Sequence, residues 1–138
     1  MKVMQPWLRW NLWITDLGFV VYWLIVALGL LPSELAFKDY NNPVMQSWNW
    51  SFFPIDILAS VLGFIAIRQH RQGHATWPMV ATASLALTFC AGLFAIAFWT
   101  LQGDYSFEWW APNLYLIIWP LFAFYALLRP SKTSEAHV

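Results

Sequence analysis

Two carboxylates stand where a chain of this composition has least use for them. Asp56 closes the stretch Trp48-Asn49-Trp50-Ser51-Phe52-Phe53-Pro54-Ile55 and is followed by apolar sequence to Ile67, and Asp16 interrupts an apolar run from Trp10 to Leu31. An ionisable group inside a membrane span costs about 2.5 to 3.5 kcal/mol on insertion scales, so it faces the bundle interior and marks a working position. No Lys, Arg or His falls within the apolar runs, so neither acid has a cation at its own depth; Arg9 can reach toward Asp16 but not toward Asp56. Asp56 is then either protonated and hydrogen-bonded, or ionised and matched by a ligand cation or a bound proton. Aromatic neighbours would add about 0.5 to 2 kcal/mol per good contact with such a cation. The purely structural alternative is a protonated acid bonded to a carbonyl freed by Pro54 or Pro120, and it weighs more heavily for Asp16, which lies nearer an interface.

The elements that must position these acids follow from composition. A chain of 138 residues that is 60% hydrophobic, 20% aromatic and 10% charged departs from soluble proteins, in which about a quarter of residues are charged. A hydrocarbon layer about 30 Å thick is crossed by roughly 20 apolar residues. Four runs meet that length, at about 10–31, 48–67, 77–101 and 110–128, which predicts a single all-α domain over 1–138, an integral membrane four-helix bundle. The first run is too long for a signal peptide and ends in Leu30-Leu31-Pro32 without a small-residue cleavage site, so it is read as a retained span. Lys2, Arg9, Arg68, Arg71, Arg129 and Lys132 fall at one end of such a bundle, against Lys38 with Glu34, Asp39, Asp104 and Glu108 at the other. The positive-inside rule then makes both termini cytoplasmic.

Counting about 1.5 Å per residue from these span ends puts Asp56 roughly 12 Å below the outer boundary and Asp16 roughly 9 Å above the inner one. That separation excludes a proton-sharing carboxylate dyad, whose members approach within a few Å. Tyr22, Trp23, Thr88 to Cys90 and Trp119 share the level of Asp56, with Asn49, Trp99 and Asn113 nearer the outer surface; Ser60, Thr82, Ser84 and Tyr125 share that of Asp16. Asn49 and Asn113 also read as N-caps of spans two and four.

Span three carries Ala81, Ser84, Thr88, Ala91, Gly92 and Ala95 at helical spacing, a pattern that lets backbones approach and predicts the packed centre. In span two, Asn49, Asp56, Ser60 and Gly63 form one stripe facing it. Pro54 and Pro120 each remove an amide donor within an apolar run, freeing the carbonyls of Trp50 and Leu116. In hydrocarbon those carbonyls need protein or water, so the prolines mark either a polar cavity or a plain kink. Gly73 is expected to stop span two, with Thr76 capping and Pro78 presetting span three, which makes spans two and three antiparallel neighbours. The connection 32–47 has turn chemistry in Tyr40-Asn41-Asn42-Pro43 and room for a short interfacial segment. Trp7, Trp10, Trp48, Trp50, Trp77, Trp109 and Trp110 read first as interfacial anchors.

Several chemistries are excluded. Zero net charge argues against a nucleic-acid partner. His70, His74 and His137 lie outside the spans, so no imidazole is available in the membrane for haem or a metal, and no cofactor is expected. His70 and His74 have ligand-like spacing, but Gly73 interrupts the helix they would need. No nucleophile elbow or phosphate-cradling glycine loop is present, and Cys90 is a lone packing cysteine.

The stretch 48–56, with Ile96-Ala97-Phe98-Trp99, Gly103-Asp104 and Trp110-Ala111-Pro112-Asn113-Leu114-Tyr115-Leu116, resembles the YvaD-like family across nearly the whole chain. That resemblance implies a small bacterial four-span protein without assigning an activity. Leu31-Pro32, Asp56 and Ala111-Pro112-Asn113-Leu114-Tyr115 leading to Arg129-Pro130 also resemble, more remotely, the EXPERA superfamily of emopamil-binding proteins and the sigma-two receptor. This second resemblance implies sterol or cationic-amphiphile binding in a buried acidic and aromatic cavity. The intramembrane histidine and glutamates of the isomerase members have no counterpart here, which favours binding over catalysis.

The expectation is therefore an outward-facing cavity lined by Asn49, Asp56, Trp99, Asn113, Tyr115 and Trp119, with Trp23 and Asp16 contributing, that holds a lipophilic small molecule, cationic ones included. The rivals are a proton-coupled transporter working as a homo-oligomer, in which Asp56 exchanges a proton, and an accessory subunit of a larger membrane complex packing through an apolar flank with Gly18, Ala27 and Gly29. Membrane lipids are partners in every case.

Overall fold

The computed structural model describes residues 3–129. Lys2, Pro130, Lys132 and His137, all used above, lie outside them. Among the described residues the chain is all-α: α1 (Pro6–Ala27), a single 3₁₀ turn (Ser33–Leu35), α2 (Pro43–Trp50), α3 (Phe53–Arg71), α4 (Trp77–Gln102) and α5 (Phe107–Leu128). Four helical segments are long and apolar enough to cross a membrane, α2 and α3 counting as one. The end of the bundle that carries α2 and the α4–α5 connection is termed the outer end below.

The boundaries differ from the expected ones for local reasons. The first helix starts at Pro6, whose missing N–H costs nothing in a first turn, and stops at Ala27, four residues before Leu31. Gly29 adopts φ +64°, and Leu30 and Gly29 donate their N–H groups to the carbonyls of Ile25 and Val26, which satisfies acceptors that the helix end leaves open. Gly73 ends α3 by the same geometry, as expected, at φ +74° with His74 N–H bonded to Gln69 O. Thr76 does occupy the N-cap position of α4, but its hydroxyl bonds Gln69 Oε1 at 3.3 Å instead of an α4 amide. Pro78 sits in the first turn of α4.

Span two is interrupted. Its outer end is the separate helix α2, capped by Asn42 rather than Asn49: Asn42 Oδ1 accepts from Val44 N–H at 2.9 Å. Ser51 and Phe52 keep right-handed helical angles or turns, and Pro54 falls in the first turn of α3, where it interrupts the hydrogen-bond ladder between the two helices. The fourth span starts at Phe107, three residues earlier than expected, so that Pro112 and Pro120 both lie inside it and Asn113 is no cap.

All six small residues of the span-three stripe are buried, and α4 packs along both α3 and α5, which makes it the centre of the bundle. A Cβ on Gly92 would lie 2.8 Å from Asn113 O and Leu116 Cβ, so the α4–α5 approach needs the glycine. Asn49, Asp56, Ser60 and Gly63 are likewise all buried. Helix α1 packs on α3 and touches α5 only sparsely. The four long helices meet tightly in the inner half, where Met4, Leu8 and Leu12 pack with Ile67, Trp77, Leu85, Trp119 and Ala123. Lipid tails are as apolar as these side chains, so the gain here is close packing rather than escape from water.

Tryptophan placement is mixed. Trp7, Trp10 and Trp50 are exposed as anchors should be, whereas Trp77 is buried in the inner core with its ring edge-on to His70, 5.3 Å between centroids.

Candidate functional site: an acidic and aromatic cavity

Asp56 stands one turn into α3, just past the interruption at Ser51 and Phe52, and is 5% exposed. Its Oδ2 accepts from Trp23 Nε1 at 3.0 Å, and its Oδ1 has no partner. Trp23 is fixed in turn by Trp50, Phe53 and Tyr22, whose ring centroids lie 5.1 to 5.3 Å from its own. Next to this pair, Tyr22 Oη donates to Asn49 Oδ1 at 2.8 Å, and the Nδ2 of Asn49, a residue 4% exposed, has no partner. Among the described residues, one acceptor and one donor are thus left unbonded seven residues apart on the α2–α3 stripe.

Both side chains face a cavity of about 450 Å³ in the outer half of the bundle, within the size range of small-molecule sites. Of the residues expected at the site, Asp56, Asn49, Trp23, Trp99, Asn113 and Tyr115 line it. Trp119 and Asp16 do not. Trp119 belongs to the inner core, because starting α5 at Phe107 sinks it by three residues, about 4.5 Å. Tyr125, expected at the depth of Asp16, lies instead at the inner end, its hydroxyl bonded to Arg129 and its ring 4.2 Å from the guanidinium carbon. Pro120 is fully buried in packed helices and does not line this cavity. Asn113 spends its Nδ2 on Trp109 O at 2.7 Å.

The lining also includes Tyr22, Trp48, Phe52, Glu108 and Trp109, which the sequence reading left out or assigned to the interface. Their signal was aromatic density on both sides of the outer connection. Phe37, in that connection, is 2% exposed and packs its ring against Trp48, Trp99 and Trp109 at 5.7 to 6.2 Å, closing the outer end of the cluster. Trp48 in turn stacks on Phe98 at 4.0 Å. On the far side of Trp48 and Phe52 lies a second hollow of about 500 Å³, bounded by Ile55, Phe94 and Phe98 and sharing Trp48, Phe52 and Ala91 with the first.

Asp16 is fully buried, and neither carboxylate oxygen has a hydrogen-bond partner among the described residues; Arg9 does not reach it. It lies against Gly63, where an added Cβ would come within 1.8 Å of Oδ2. Gly63 is seven residues, about 10 Å of helix, from Asp56, so the two acids do occupy different layers. Ser60 connects them through the backbone, its hydroxyl lying 2.9 Å from Asp56 O and 3.2 Å from Asp16 O. At the inner end His70 Nε2 accepts from Met4 N–H at 3.0 Å, and His74 lies beyond the Gly73 turn, so the two imidazoles do not form a metal pair.

A four-span helical bundle with a carboxylate and an amide held open in an aromatic cavity is a small multi-pass membrane protein. Residues 8–134 match a family described as a family of unknown function, DUF5360, and the chain belongs to that family. It is 44% identical over 122 residues to the "Uncharacterized protein YvaD" of Bacillus subtilis (strain 168), an alignment covering 88% of this chain and 92% of that one. The YvaD-like resemblance therefore holds. No solved structure matches the chain significantly.

Proposed function

We propose that the protein binds a lipophilic small molecule, amines included, in the outer-half cavity. The observation that carries this reading is Asp56: buried, bonded through one oxygen to Trp23, with the other oxygen unbonded among the described residues, in the wall of a cavity lined by aromatic rings. An open polar atom in such surroundings costs roughly 1 to 3 kcal/mol unless something fills its bond, and a ligand donor does so. Asp56→Asn keeps the Trp23 contact but removes the charge, so it weakens binding of amphiphilic amines by about tenfold or more, measured by equilibrium binding to purified protein. An unchanged affinity for every amine that binds would sink the assignment. The remote likeness to EXPERA proteins fits this reading, with Asp56 as the shared acid.

A second reading, a proton-coupled transporter working as an oligomer, draws on Asp16. Two buried acids at successive depths are the protonatable stations a relay needs. It predicts pH-dependent uptake in vesicles that Asp16→Asn abolishes, whereas a binding protein retains its ligand affinity in that variant. Under either reading the location is a bacterial inner membrane, with Arg9, Arg68 and Arg71 on the cytoplasmic side.

A further inference from the structure

In the outer half of the bundle one seam between helices stays open. The inner halves of α1 and α5 share a core through Leu8, Leu12, Trp119 and Ala123, and Tyr115 Oη donates to Asn11 Oδ1 at 2.6 Å across the seam. Outward of that bond the two helices separate and the cavity lies between them, with Ile14 and Gly18 on one lip and Pro112 on the other. Ile14 is 60% exposed, and a Cβ on Gly18 would meet nothing within 4 Å. Gly18 is twelve residues into α1, about 18 Å along a span that crosses about 30 Å of hydrocarbon. This side of the cavity therefore faces acyl chains, while Leu31, Leu35 and Glu108 line its outer end.

That position decides which part of a ligand selects the site. Moving an alkyl chain from lipid into an apolar cleft gains little, because both surroundings are hydrocarbon. A polar head taken from the same layer gains more, since the cleft offers bonds that lipid tails lack. Among the described residues that line the cleft, Asp56 Oδ1 is an unbonded acceptor and Asn49 Nδ2 and Trp99 Nε1 are unbonded donors, each buried in its wall.

We propose that the cavity is filled from within the bilayer, through the seam between α1 and α5, by a single-chain amphiphile whose head carries both a donor and an acceptor, an alkyl amino alcohol in the simplest case. The proposal rests on the ligand-binding reading above and adds to it the route and the head chemistry. The amine or hydroxyl hydrogen satisfies Asp56, a hydroxyl oxygen satisfies Asn49, and the chain runs past Gly18 into the lipid.

The test uses the full chain in lipid nanodiscs and radiolabelled N-dodecylethanolamine, with dodecylamine as the head-group control. Gly18→Trp fills the seam from an open position, and it slows association by about tenfold or more, while Gly18→Ala stays within about twofold of the unsubstituted protein. Asn49→Leu removes the amide donor and lowers affinity for N-dodecylethanolamine by about tenfold while leaving dodecylamine within about twofold. Equal association rates for Gly18→Trp and the unsubstituted protein overturn the route. Equal losses for both probes in Asn49→Leu overturn the head assignment. An unsubstituted protein that binds neither probe overturns the ligand-binding reading itself, and this proposal with it. Should Gly18→Trp lower the melting temperature, Gly18→Leu carries the same test with a smaller side chain.

Discussion

Gly63 and Asp16 occupy space that only one of them can fill. With a Cβ on residue 63 placed 1.8 Å from a carboxylate oxygen, Gly63→Ala forces α1 away from α3 and destabilises the bundle by about 1 to 3 kcal/mol. Removing the carboxylate removes the obstacle, so Asp16→Ala combined with Gly63→Ala recovers much of that loss, and the two changes are non-additive by thermal unfolding in detergent. A second pair of variants separates indole donors by whether they are used. Trp23→Phe takes away the bond that Asp56 Oδ2 receives and costs about 1 to 3 kcal/mol. Trp99→Phe removes an Nε1 that is buried and unpartnered, and so costs less than Trp23→Phe in the same unfolding measurement. At this scale the sequence was informative about which polar residues turn inward, since Asp56, Asn49, Ser60 and Gly63 fall on one helical stripe. It did not reveal that Trp23 would be the donor to Asp56 or that Gly63 would receive Asp16, because both contacts depend on how α1 is rotated against α3.

At the scale of helices, the glycines divide by backbone angle. Gly73 sits at φ +74°, where a side chain is strained, and Gly73→Ala lowers stability by about 1 to 2 kcal/mol. Gly18 lies within α1 with open space beyond its missing Cβ, and Gly18→Ala raises stability by about 0.5 to 1 kcal/mol. Opposite shifts in melting temperature check the pair. The span ends explain most of what the sequence did not disclose here. Hydropathy runs on through Leu28, Leu30 and Leu31, but Gly29 ends the helix before them; Phe107 to Trp109 look interfacial, yet they form the first turn of α5. That three-residue offset carried Trp119 from the expected cavity into the inner core and exchanged it for Trp109. Pro54 was legible as an interruption and the connection had room for a short interfacial segment, but the extent of α2 from Pro43 to Trp50 was hidden because Trp48, Asn49 and Trp50 read as the start of span two.

For the whole molecule, the arginines predict an orientation. In a Cys90→Ala background, His74→Cys reacts with a membrane-impermeant maleimide only after cells are permeabilised, whereas Asp104→Cys reacts in intact cells. The reverse pattern would place the Arg68 and Arg71 end outside. The central place of α4 was readable from Ala81, Ser84, Thr88, Ala91, Gly92 and Ala95, since small side chains at helical spacing permit neighbours on two sides. The open seam was not readable, because a residue such as Ile14 has the same apolar character whether it faces lipid, a cavity or another helix.

Trp48 has one further consequence. Together with Phe52 and Ala91, it lines both hollows in the outer half. A protein reduced to that single tryptophan would carry its own optical gauge: the emission maximum and lifetime of one ring would respond to whatever enters from either face, with no dye attached.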